Sequence, residues 1–91
     1  MTSSKKVIET LIEYTNDELG FSGVKLWNQL DGHNVATVGM LYLYRCLGVW
    51  AIHRMENQGG GAAVILSAST ARELESMLRA FRTGLHYQKG V

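Results

Sequence analysis

Hydrophobic and polar positions recur along this chain with two different periods. Val7, Ile8, Leu11, Ile12, Thr15 and Leu19 follow the three-to-four spacing of a helix, while Lys5, Lys6, Glu9, Glu13 and Asp17 fall on the opposite side. This pattern predicts an amphipathic helix capped by Ser3 or Ser4 and ended by Gly20, a residue suited to the left-handed conformation at a helix terminus. The same period returns near the C-terminus, where Ala71, Leu74, Met77, Leu78, Phe81 and Leu85 form one apolar stripe. Thr70 and Glu73 have the spacing of a capping box, and Glu75 precedes Arg79 by four positions, the favourable order for an ion pair. With Gly84 as the stop signal, a helix is predicted over 71–83.

Between the helices the period shortens to two. Val24, Leu26, Asn28 and Leu30 alternate with Lys25, Trp27 and Gln29 and end at Asp31-Gly32, a pair that accepts the two positive φ angles of a tight hairpin. The runs VATVGMLYLYR (35–45) and VWAIHRM (49–55) are rich in β-branched and aromatic residues, as strands are. Asn57-Gln58-Gly59-Gly60-Gly61 predicts a flexible second hairpin, followed by the short apolar run AAVILS (62–67). The expected architecture is one α+β domain over 1–91: an N-terminal helix, a three- to four-stranded antiparallel sheet and a capped C-terminal helix. The alternative is an all-α chain in which 34–57 is one long central helix, capped by Asn34 and closed by the glycine run. Against it stand Gly39 and Gly48, each costing about 1 kcal/mol in a helix interior.

Composition narrows the function classes. At 91 residues the chain holds a single domain, and 46% hydrophobic residues suffice to form a core. Nine Lys+Arg against eight Asp+Glu leave a net charge of +1, so no global field draws the chain to nucleic acid or membrane. One cysteine excludes an internal disulfide, and Met-Thr-Ser-Ser-Lys-Lys is no secretory signal, which points to the cytoplasm. Residues 33–55 are poor in charge, but Arg45 at their centre costs about 2.5–3.5 kcal/mol in a bilayer, so no membrane span is expected.

No chemistry assembles from the remaining residues. Cys46 has Arg45 beside it, yet no spacing brings His33 or His53 to it as a base. His33, His53 and His86 are isolated, without the paired spacing of a zinc site. Gly59-Gly60-Gly61 lacks the helix start and the lysine of a phosphate cradle. The expectation is therefore no enzyme, no cofactor and no metal.

Two surfaces remain as candidates. Met40, Tyr42 and Tyr44 share one strand face, and two helices cover only one side of a small sheet. An uncovered face carrying Tyr42, Tyr44, Trp50 and Arg54 is the expected partner-binding surface, in residue types enriched at protein interfaces. Such a face also predicts a homodimer. The alternative is nucleic-acid binding by the basic C-terminal helix through Arg72, Arg79 and Arg82, in a segment (61–91) of net charge +2.

The stretch GVWAIHRMENQGGGAAVILSASTARELESMLRAFRTG (48–84), with the order helix, antiparallel strands, capped helix, resembles the layout of small phage anti-CRISPR inhibitors. The resemblance is one of layout and transfers no functional residue. Several such inhibitors are strongly acidic mimics of nucleic acid, whereas this chain is nearly neutral. What the resemblance implies here is inhibition by direct docking on a protein.

Overall fold

The computed structural model describes residues 5–89. The predicted Ser3 or Ser4 cap lies outside them. Helix α1 (Lys5–Asn16) buries Ile8, Leu11, Ile12 and Thr15, and the chain leaves it through a wide turn at Asp17–Phe21 in which Gly20 takes φ +97°. Strands β1 (Trp27–Leu30) and β2 (His33–Ala36) form the expected hairpin, with Asp31 at φ 52° and Gly32 at φ 79° in the turn. Three further strands, β3 (Leu41–Cys46), β4 (Val49–Met55) and β5 (Ala62–Ala68), make an antiparallel sheet in the order β3-β4-β5. Helix α2 (Ala71–Lys89) completes the chain.

The α+β architecture therefore holds, with the strands divided between a three-stranded sheet and a separate two-stranded hairpin. The long run 35–45 is not continuous. It breaks at Gly39, whose φ of +91° and close approach to the Phe21 ring disfavour a side chain. The alternative of one helix over 34–57 is wrong for the same physical reason. Gly39, Leu47 and Gly48 all adopt positive φ, and the last two form the two-residue turn between β3 and β4.

The core lies between the two helices and one sheet face. Ile8, Leu11 and Ile12 of α1 meet Leu74 and Leu78 of α2 over Leu41 and Ile52, with Leu43, Trp50, Ile65, Leu66 and Phe81 packed around them. The β4–β5 pairing shifts by one residue after Ile52, and this irregularity lets the adjacent Ile65 and Leu66 both pack against the core. At the start of α2 the Glu73 amide donates to Thr70 Oγ1 (3.1 Å), while the Glu73 carboxylate accepts from the hydroxyls of Ser69 and Thr70. Arg79 pairs with Glu75 at 2.8 Å, as its spacing predicts.

Gly84 does not stop α2, which runs on to Lys89. An interior glycine costs a helix about 1 kcal/mol, and a contact beyond it, from His86, opposes that cost. Glu18 binds Arg82 (2.7 Å) and His86 (2.5 Å) together, and Arg82 also donates to Thr15 Oγ1 and the Leu11 carbonyl. This cluster fastens the last turns of α2 to the end of α1. Burial alone would raise the Glu18 pKa, but the hydrogen bond from His86 and the charges of Arg82 and His86 outweigh it and leave the carboxyl below its ordinary range.

The glycine-rich connection 57–61 is latched rather than flexible. Asn57 Oδ1 accepts from the amides of Gly59 and Gly61, both at 3.0 Å, and a Cβ on Gly61 would collide with the Asn57 side chain. Gly60, at φ +101°, lies under the Trp27 indole, where a Cβ would come within 2.9 Å of the ring. The Ala36 amide donates to the Gln58 carbonyl. These contacts seat the β1–β2 hairpin against the loop.

Candidate functional site

The two-residue turn at Leu47-Gly48 fixes which side chains share each face of the sheet. It pairs Cys46 with Val49, Tyr44 with Ala51 and Tyr42 with His53, and cross-strand partners lie on the same face. The intervening pairs, Arg45 with Trp50 and Leu43 with Ile52, face the helices. One face is thus filled by the core, and the other, bearing Tyr42, Tyr44, Cys46, Val49, His53 and Val64, carries no helix.

The predicted partner-binding quartet is divided by this register. Tyr42 and Tyr44 lie on the open face. Trp50 does not: it is half-buried on the helix side, with the Arg45 guanidinium 3.6 Å from its ring centroid. Arg54 is also on the helix side, where it is held by Glu56 at 2.7 Å. The physical reason is parity. Placing Ile52 in the core necessarily places Trp50 and Arg54 on the same side, two positions away in either direction.

On the open face an aromatic ladder replaces them. His53 stacks on Tyr44 with ring centroids 4.3 Å apart and meets Tyr42 edge-on at 5.5 Å, where the Tyr42 hydroxyl lies 3.5 Å from Nδ1. Partial burial of His53 lowers its pKa, and the Cys46 thiol beside Tyr44 raises that of the phenol. Tyr44, Val49 and Val64 are exposed, and with Cys46, Leu47 and Ser67 they border a shallow depression of about 490 Å³. Leu47 stands at its edge, 98% exposed and at φ 48°. A large apolar residue is unusual there, because the turn prefers Asn, Asp or Gly.

Leu47, Val49 and Val64 were not singled out by sequence pattern, whereas His53, read as a half-buried strand residue or interface contact, is half-buried on this face. Counting outward from Leu47-Gly48 as a two-residue turn would have found Leu47 and Val49.

Cys46 is a free, exposed thiol at one end of this face. His53 lies four cross-strand pairs along the ladder, two of them on this face, with Tyr44 stacked on it, so no thiol–imidazole pair forms. Among the described residues no group of three His, Cys, Asp or Glu side chains could hold a metal ion. Nor does any described helix have the length and apolar character to cross a membrane. The basic residues of α2 do not form one free patch. Arg82 is largely buried against Glu18, Arg79 is paired with Glu75, and Arg72 is exposed on the first turn. No family model, no curated protein and no solved structure matches the chain.

Proposed function

We propose that this chain is a small, non-enzymatic docking protein that acts by covering a surface of another protein with the open face of its β3-β4-β5 sheet. The observation that carries this reading is the exposed Leu47 held in a left-handed turn beside Tyr44, Val49 and Val64. A leucine left in water, in a conformation costing about 1 kcal/mol or more, gains nothing for the isolated fold and is the type of group a partner pocket accepts. The face has no charged side chain along β3 and β4, so it suits an apolar partner patch and is compatible with itself in a two-fold contact. Without another protein, two copies pair through it.

The layout resemblance extends this reading to an inhibitor of the phage or mobile-element kind, acting on a host defence complex. A free thiol on the docking face suits the reducing cytoplasm, where such complexes work. The extended claim is tested by plating a CRISPR-targeted phage on bacterial strains that express the chain. Raised plating efficiency that is lost with Leu47→Asp and Tyr44→Asp supports it. Unchanged plating across strains carrying different CRISPR types removes the inhibitor role. Docking in this mode depends weakly on salt, and truncating a buried aromatic anchor such as Tyr44 costs about 2 kcal/mol or more.

A further inference from the structure

The β3 strand is an edge, and one position on that edge already shows what it accepts. The β3–β4 turn makes Cys46–Val49, Tyr44–Ala51 and Tyr42–His53 the hydrogen-bonded pairs, so the backbone groups of Leu41, Leu43 and Arg45 point away from β4. At Leu41 the side chain of Asn16 fills the role of a neighbouring strand. Its Nδ2 donates to the Leu41 carbonyl at 2.9 Å, and its Oδ1 accepts from the Leu41 amide at 2.9 Å. Among the described residues, no group does the same for Leu43 or Arg45.

The open part of this edge borders a groove of about 560 Å³ between β3 and α1. Leu43 forms one wall, and Glu9, Glu13 and Asp17 line the other side. These carboxylates follow one another at four-residue steps, an arrangement that is repulsive by a few tenths of a kcal/mol per pair on a helix. None of the three has an ion pair among the described residues, and no Lys or Arg lines the groove. Arg45 is the nearest cation along the edge, and its guanidinium is turned onto Trp50.

We propose that the free edge of β3 is a docking site for an extended, basic segment of a partner protein, which adds a fourth strand to the sheet. The segment pairs with the backbone of Leu43 and Arg45 over about five residues, and its Lys or Arg side chains on the helix side meet Glu9, Glu13 and Asp17. Main-chain hydrogen bonds supply the affinity and the acidic wall selects the charge. A partner held on this edge touches the open face only beside β3 and leaves Leu47, Val49 and Val64 free, so the proposal stands or falls separately from the function assigned above.

The test uses a fluorescein-labelled heptapeptide of alternating Lys and Val, its Glu/Val counterpart, and a Lys/Val version N-methylated on alternate amides. Binding is followed by anisotropy and by amide shifts of the ¹⁵N-labelled full chain. The Lys/Val peptide is expected to bind, with the Leu43 and Arg45 amides moving downfield and gaining protection from exchange. N-methylation and the Glu9→Lys/Glu13→Lys pair are each expected to weaken binding about tenfold or more, since each removes a whole class of contact. The Glu/Val peptide should not bind, and Val64→Asp, an exposed change of the open face on the far strand β5, should leave the Lys/Val affinity unchanged. Circular dichroism confirms that the paired variant is folded; if it is not, Glu9→Gln/Glu13→Gln takes its place with the same direction of effect. Equal binding of the N-methylated peptide, or no Lys/Val binding at millimolar concentration, overturns the proposal. So does occupation of the Leu43 edge by a second copy of this chain.

Discussion

Replacing Asn16 with alanine tests whether one side chain holds the sheet to the first helix. Asn16 is 5% exposed, and its carboxamide makes both backbone hydrogen bonds that a neighbouring strand would give Leu41, itself 4% exposed. Two net hydrogen bonds at about 0.5–1.5 kcal/mol each set the lower bound, and leaving a buried N–H and C=O without partners raises it. Asn16 and Leu41 also border the groove beside β3, through which water can reach part of the vacated space. The expected loss is therefore roughly 2–3 kcal/mol, a large share of the 5–15 kcal/mol typical of a folded domain. It corresponds to a fall in melting temperature of roughly 10–20 °C for a chain of this size.

Urea unfolding followed by tryptophan fluorescence and far-UV circular dichroism measures the loss, and an unchanged m-value shows that both states are comparable. Asn16→Asp sharpens the test. It keeps the acceptor for the Leu41 amide but turns a charge toward the Leu41 carbonyl, which raises the new carboxyl's pKa in the folded state. Its deficit relative to the parent chain should shrink as acid protonates the group and restores a donor. A loss below about 0.5 kcal/mol for Asn16→Ala would refute the reasoning, because a strand-mimicking bond pair this buried cannot be so weak.

Other outcomes follow from the same structure. Glu18→Gln should lower the melting temperature at pH 7. The Glu18 pKa is lowered in the fold, so its stabilisation is complete above the ordinary value of 4.5 and is lost as pH falls through the lowered one. Thermal melts of the two proteins should therefore converge in acid. Gly60→Ala should cost about 1–3 kcal/mol, through the strain at φ +101° and displacement of Trp27, and should shift the tryptophan emission. His53 carries a pKa lowered by burial in the folded chain, so its neutral form's contribution to folding stability is complete above the ordinary 6.5 and is lost as pH falls through the lowered value. Thermal melts in a pH series on the parent and His53→Gln chains should show that the substitution removes this part of the dependence.

Local signals were readable wherever one residue decides one conformation. Asp31-Gly32 and Thr70 with Glu73 act through neighbours in sequence and appear as their patterns imply. The helix stripes do so in part: Ile8, Leu11, Ile12, Leu74, Leu78 and Phe81 pack in the core, but Val7, Leu19 and Met77 are left exposed. What escaped was set by distant partners. Gly84 reads as a stop, but His86, beyond it, reaches across the fold to the same Glu18 that Arg82 holds one turn earlier. The β1–β2 hairpin reads as part of one sheet, but Asn57, Gly60 and Trp27 seat it separately. At the candidate site, Tyr42 and Tyr44 were legible from alternation within one strand. Trp50 and Arg54 were misplaced because their face depends on how β4 registers against β3, and a one-residue difference in register reverses every side chain.

The central claim is that the open sheet face is a docking surface, and self-association measures it most directly. Three strands about 4.8 Å apart and six or seven residues long present a flat area of roughly 300 Å². This is small beside the ~800 Å² per partner of a standard interface, so pairing in the micromolar range is expected rather than a tight dimer. Sedimentation velocity on the parent chain, from about 1 to 200 μM, should show a concentration-dependent shift from monomer to dimer. Tyr44→Asp and Leu47→Asp, both changes of exposed side chains, should remain monomeric and folded throughout. A parent chain that stays monomeric at the highest concentration, or dimers that survive both substitutions, would contradict the account.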